Sequence, residues 1–135
     1  MRNPVIRFRI DFAKHSYVGP GKIDLLETIG KSGSLSQAAR DLGMSYRRAW
    51  LLVESLNTCF REPVTVATTG GKGGGGVKLA KFGQELIKSY RALEQDIAEA
   101  AIRRLHTITP AVTAPGRSAG AALHRPLTRK RRAGN

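Results

Sequence analysis

From Val5 to Phe12 the chain alternates. Ile6, Phe8, Ile10 and Phe12 fall on one side, and Val5, Arg7, Arg9 and Asp11 on the other. That is the period-two signature of a half-buried strand. Gly19-Pro20-Gly21 breaks it, and between Lys22 and Lys31 the period changes. Ile23, Leu26 and Ile29 recur at helical spacing and Leu25 widens the stripe, so a helix is predicted there. Ser32-Gly33-Ser34 ends it. A short helix opens at Ser34 or Leu35-Ser36, with Ala38, Ala39 and Leu42 on one face. Gly43 follows, where a left-handed backbone would stop that helix at no steric cost.

Ser45 is a natural N-cap for the next helix, which runs from about Ser45 to Phe60 until Pro63 forbids continuation. Its apolar positions Ala49, Leu52, Val53 and Leu56 can pack back on the short helix, with small Ala39 at the crossing. The β-branched stretch Val64–Thr69, the glycine-rich run Gly70–Gly76 and Val77-Lys78-Leu79 predict strand, loop and strand, a hairpin. From Lys81 to about Leu105 the pattern is helical again. Leu86, Tyr90, Leu93, Ile97 and Ala101 step by three or four, with Ile87, Ile102 and Leu105 beside them. Such a helix is about 37 Å long, more than a small domain needs for its own core. After Leu105 the periodicity stops. Pro110, Pro115, Pro126 and repeated Ala, Gly and Thr predict a disordered tail.

These elements amount to a mainly α (α+β) fold, a winged helix-turn-helix. It has an N-terminal strand, a glycine-rich wing hairpin and a long C-terminal helix suited to dimerisation. Residues 1–105 are expected to form the domain and residues 106–135 the tail. No internal repeat is present.

Charge gives this outline a direction. Of 135 residues, 23 are Lys or Arg and 10 are Asp or Glu, a net charge of +13. Residues 1–102 hold fifteen basic and ten acidic side chains; residues 103–135 hold eight basic and none acidic. Such a field attracts polyanions. Ser45, Tyr46, Arg47 and Arg48 occupy the leading edge of the second motif helix, a composition that suits phosphates and base edges in a major groove. Ser36 and Gln37 open the first motif helix and either contact phosphate or only cap it. Gly71, Lys72 and Gly73 at the hairpin tip let main-chain amides approach a DNA backbone, and Lys78 adds charge. The same tip could be a passive loop. Trp50, four residues after Tyr46, is expected mostly to pack, and Tyr46 mostly to make contacts.

Other chemistry is not signalled. Lys72 is followed by glycine and then by a strand, so the glycine run is not a nucleotide phosphate loop. No βαβ unit surrounds it for a dinucleotide fingerprint. His15, His106 and His124 have no ligand-like spacing, and no metal or cofactor is expected. Cys59 is the only cysteine, so no intramolecular disulfide can form, and it reads as a small core residue. No nucleophile–base pair or paired carboxylates stand out, so an enzyme is not expected. No apolar run approaches a signal-peptide core or a membrane span, and a cytoplasmic chain without membrane partner is expected.

Several residues carry a family resemblance. They are Ser34-Leu-Ser-Gln-Ala-Ala39, Ser45-Tyr46, Ala49-Trp50, Asn57, Thr69-Gly-Gly-Lys-Gly-Gly-Gly-Gly76, Leu79 and Phe82-Gly83. Over about residues 18–105 the chain resembles the N-terminal DNA-binding domain of the ModE-type, molybdate-responsive bacterial regulators, and more loosely the LysR-type winged helices. The glycine run is the most specific part of the likeness.

The resemblance implies a homodimer whose long helices pair. The length of the last helix favours the same seam, with Leu86, Tyr90, Leu93, Ile97 and Ala101 as its contacts; the alternative is packing on its own first strand and helix. The resemblance also implies that Ser45 to Arg48 read double-stranded DNA while the wing touches backbone. The family's full-length members continue into molbindin domains, whereas this chain carries a basic tail there, so no molybdate binding is expected from it. The family also has Thr before the last helix where this chain has Ala80, which would weaken the helix start by about 1 kcal/mol. The expected function is sequence-specific transcriptional regulation. Non-specific nucleic-acid coating and a protein-interaction module remain the alternatives.

Overall fold

The computed structural model describes residues 3–69 and 76–113. Among the described residues it is an α+β structure with two small antiparallel sheets and four α-helices. In order these are β1 (Ile10–Ala13), β2 (Ser16–Val18), α1 (Pro20–Ser32), α2 (Leu35–Asp41), α3 (Tyr46–Cys59), β3 (Thr65–Thr68), β4 (Gly76–Leu79) and α4 (Lys81–Leu105). Two units can be separated. Val5–Ala100 holds almost all of these elements; Met1–Pro4 with Ala101–Asn135 is the other.

Within Val5–Ala100, α1 supplies both halves of the core. Ile23 and Leu26 join Val18, Leu56, Val64 and Tyr90. Leu25 and Ile29 join Ala38, Ala39, Ala49 and Val53. Leu79 touches both groups from β4. The helices start and stop on local chemistry. Pro20 sits in the first turn of α1, where its missing N–H costs nothing. Gly33 ends α1 at φ +70, its N–H donating to the Ile29 carbonyl at 2.8 Å.

The N-terminal strand is shorter than its alternation suggests. Burial alternates from Val5 to Ile10, but ladder pairing begins only at Ile10 and is made with β2, a strand the pattern did not reveal. The register slips between Asp11 and Ala13, so Phe12 leaves the buried side and is 56% exposed. The turn between the strands is closed by His15 at φ 65. β3 and β4 pair in register from Thr65↔Leu79 to Thr68↔Gly76.

Two further expectations change. Tyr90 is 2% exposed inside its own protomer: its ring stacks on Phe8 at 4.6 Å and its hydroxyl donates to the Phe8 carbonyl at 2.7 Å. It is therefore a core residue and not part of a shared seam. Leu86 likewise packs against that core. In the second unit, order persists beyond Leu105. Thr109–Ala111 forms a 3-10 turn, and the Thr109 hydroxyl donates to the Leu105 carbonyl at 2.8 Å. Pro110, the second residue of that turn, is tolerated there because N–H groups in a first turn have no intrahelical partner to lose. The expected tail from residue 114 onward, and Gly71, Lys72 and Gly73, lie outside the described residues.

Candidate nucleic-acid interface

The site is built on the joint between α2 and α3. Ser34 caps α2, its Oγ accepting from the Gln37 N–H at 3.1 Å. Gly43 takes φ +68, and Met44 N–H then donates to the Ala39 carbonyl at 3.0 Å, which folds the chain back over α2. Ser45 caps α3, accepting from the Arg48 N–H at 3.1 Å. Ala38, Ala39 and Ala49 are buried between the two helices, so α3 is held close by small side chains. At 1.5 Å per residue, α3 is a rod of about 21 Å.

Ser45, Tyr46, Arg47 and Arg48 are all exposed, but they do not share one direction. Tyr46 turns toward a groove of about 460 Å3 between α3 and the β3–β4 hairpin. Trp50, Glu54 and Asn57 continue that wall along α3, Ser34, Leu35 and Ser36 form one end, and Ala67 and Val77 face it. Trp50, expected to pack, is 47% exposed there, close to the 56% of Tyr46. Ser45, Arg47 and Arg48 line a separate cleft on the other flank of α3, with Tyr17, Lys22 and Ser55.

Ser36 thus reaches the aromatic groove. Gln37 is exposed and engaged on its own helix, donating to Asp41 at 2.7 Å and accepting from Arg40 at 2.8 Å. Lys78 is exposed on β4 but points away from Val77, into a shallow hollow with Gly30, Lys31 and Gln84.

The charges separate in the same way. Arg91 gathers Asp24, Glu27 and Glu94 at 2.9, 2.7 and 3.0 Å, tying α4 to α1 and neutralising acid there. The Arg91 hydrogen bonds hold the Glu27 carboxyl below its ordinary pKa, and those carboxylates raise Arg91 further above its already high value. Among the described residues, no carboxylate lies within 4.0 Å of Arg47 or Arg48, so their charge is presented to solvent.

Lys22 is the residue the sequence did not single out. It is 3% exposed, donates to the Tyr17 carbonyl at 3.0 Å and to Ser55 Oγ at 2.9 Å, and stands 3.4 Å from the Tyr17 ring centre. Arg9 covers the same ring at 3.8 Å. Nothing local distinguishes Lys22 from a surface lysine in a first helical turn.

Cys59 is half-buried at the end of α3 and unpaired. Among the described residues no group of three His, Cys, Asp or Glu side chains could hold a metal ion, and no helix is long and apolar enough to cross a membrane.

Comparison with known proteins gives this arrangement a context. No protein-family model matches the chain. Individual relatives do. The DNA-binding transcriptional dual regulator ModE of Escherichia coli K12 is 43% identical over 79 residues, 58% of this chain and 30% of that protein. The molybdenum-pterin-binding protein MopB of Rhodobacter capsulatus is 43% identical over 82 residues, 61% of this chain and 30% of its own length. The molybdenum transport protein ModE of Azotobacter vinelandii is 34% identical over 106 residues, 76% of this chain and 39% of that protein. The chain therefore has a ModE-like region, and it spans only about a third of the length of these relatives.

Proposed function

We propose that this chain is a winged helix-turn-helix transcriptional regulator that binds specific double-stranded DNA as a homodimer. In this reading α2 and α3 are the helix-turn-helix and β3–β4 is the wing. Residues 1–105 are the DNA-binding and dimerisation domain, and the basic residues beyond add sequence-independent attraction. The observation that carries the reading is the outer face of α3. It is a capped helix with Tyr46, Trp50, Arg47 and Arg48 exposed, packed on α2 by alanines, in a chain 43% identical over 79 residues to a DNA-binding regulator.

The two flanks of α3 divide the work. Tyr46 and Trp50 offer apolar and aromatic surface to base edges, and Arg47 and Arg48 offer forked donors to guanine or phosphate. Gly71, Lys72 and Gly73 at the wing tip meet the backbone beside them, and Ser36 does so from the start of α2, whereas Lys78, on the far side of β4, adds only to the positive field. Leu93, Ile97 and Ala101 of α4 form the seam between two copies. A two-fold dimer reads a palindrome with half-sites one helical turn or more apart.

Selection of bound DNA from a random pool, followed by footprinting and a salt titration, tests this. A palindromic winner bound well above random DNA is expected. Equal binding of all sequences would replace the regulator with a non-specific coating protein, and no binding at physiological salt would favour a protein-interaction module.

A further inference from the structure

The flank of α3 that carries no residue of β3 or β4 is built differently from the aromatic groove. Ser45, Arg47, Arg48, Leu51 and Ser55 face Tyr17 and Lys22 across a cleft of about 380 Å3. The cleft holds three cations and no acid. Lys22, Arg47 and Arg48 have no carboxylate within 4.0 Å among the described residues.

Lys22 is the informative member. A buried ammonium is costly unless a counter-charge or hydrogen bonds replace its water. Its partners are all neutral: the Tyr17 carbonyl, the Ser55 hydroxyl and the Tyr17 ring. They solvate the charge without cancelling it, and burial accordingly pushes the Lys22 pKa down, with Arg9 adding to the effect and Cys59 opposing it. The positive charge stays at the floor of the cleft.

The hydroxyls are oriented by the same network. Ser55 Oγ accepts from Lys22, so its own O–H is left to donate outward, and no acceptor takes it among the described residues. Ser45 Oγ accepts from the Arg48 N–H, which leaves its proton outward as well. A donor polarised by a charge behind it is a stronger donor.

We propose that this cleft seats one phosphate of the DNA backbone, bound by Arg47, Arg48, Ser45 and Ser55, with Lys22 as the fixed charge behind Ser55. The inference rests on the DNA-binding reading and deepens it. Tetrahedral phosphate suits guanidinium forks and hydroxyl donors, and no neutral base edge needs a third, buried cation. The β1–β2 hairpin, through Tyr17, thereby belongs to the DNA-binding surface. One flank of α3 is anchored at this cleft and the other by the wing, and the helix between them is held in register.

Two measurements on the full chain test the proposal. Leu51 is 46% exposed at the cleft, so Leu51→Glu places a carboxylate there without touching the core, and Leu51→Gln is its control. Ser55→Ala removes the proposed donor. For Leu51→Glu, DNA affinity is expected to fall equally for the selected palindrome and for random sequence. The slope of log affinity against log salt should become shallower by about 0.9 for each lost phosphate, about 1.8 for a dimer that loses one in each half. Leu51→Gln should leave the slope as it was, and Ser55→Ala should lower affinity without changing the preferred sequence.

In the second measurement, inorganic phosphate titrated into the free protein is followed by the amide resonances of Ser45 and Ser55. Saturable shifts in the wild type that vanish in Leu51→Glu are expected. Identical slopes and shifts for folded Leu51→Glu and Leu51→Gln would overturn the cleft while leaving the regulator reading intact. Saturable phosphate shifts in a protein that binds no DNA would overturn the backbone phosphate as occupant, together with the regulator reading.

Discussion

A carboxylate held by a guanidinium releases it on protonation, and Glu27 is where this chain will register that. Its pKa is lowered from 4.5, chiefly by the Arg91 hydrogen bonds. A carboxylate depressed in the folded state contributes stability that is fully present above the unfolded value of 4.5 and is lost as pH falls through the lower folded value. Wild type is expected to melt above Glu27→Gln near neutral pH, the difference closing as the solution is acidified below 4.5. Melting temperature against pH checks this; a gap that persists in acid would mean the Glu27 contribution is packing.

Lys22 shares that direction of pH dependence, but its lowered pKa is a cost at neutral pH and not a gain. Its folded pKa lies below 10.5, so between the two values the unfolded chain binds more protons and stability rises with pH. Lys22→Met should flatten that alkaline limb of the same melting curve, because nothing remains there to deprotonate.

At the scale of one element, the first turn of α4 supplies two substitutions with opposite outcomes. Ala80 accepts from the Gln84 N–H at 3.1 Å and donates its own N–H to the Val64 carbonyl at 2.9 Å, but it has no side-chain acceptor for the free amides of the turn. Ala80→Ser should stabilise the protein by about 1 kcal/mol in urea unfolding. Three residues on, Gly83 is buried where the backbone of Val64 crosses, and a Cβ there would overlap the Val64 carbonyl. Gly83→Ala should destabilise by about 1–3 kcal/mol, because backbone must move to admit it.

Elements like α4 are legible in sequence because their signals are local. Ser34 and Ser45 cap the helices they precede, and Gly43 adopts the left-handed angle expected of it. The β1–β2 hairpin was not legible, because its turn uses His15, not glycine, at positive φ and its alternation breaks at a register shift. Tyr90 and Lys22 were opaque for another reason. Their partners lie far away in sequence, Phe8 at 82 residues and Ser55 at 33, so no window along the chain contains both members. Ser45 to Arg48 were readable as an exposed edge, but their division between two flanks follows from the helix pitch. Tyr46 and Arg48 are about 200° apart around the axis, so they cannot address the same surface.

At the scale of the whole molecule, α4 carries the question of how many chains act together. Its early turns are committed to the protomer: Gly83 and Tyr90 are buried, and Leu86 and Ile87 pack on the core. Beyond Arg91, whose ion pairs hold Asp24 and Glu27 of α1, that commitment ends. Leu93 is 39% exposed and Ile97 half-buried, on a helix that continues to Leu105. An apolar stripe at helical spacing that its own core does not use is the kind of surface two copies share. If Leu93 and Ile97 meet their counterparts, linking two readers makes the second half-site encounter intramolecular, a gain of about 10²–10⁴ in apparent affinity.

Replacing both by glutamine keeps helix propensity and removes the shared apolar surface. Sedimentation equilibrium at micromolar concentration should show a dimer for wild type and a monomer for Leu93→Gln/Ile97→Gln. The double variant should bind an isolated half-site as wild type does and lose the advantage of the full palindrome. If the variant stays dimeric, the seam lies elsewhere. If wild type is a monomer that still favours the palindrome, two chains meet only on the DNA, and α4 is not what joins them in solution.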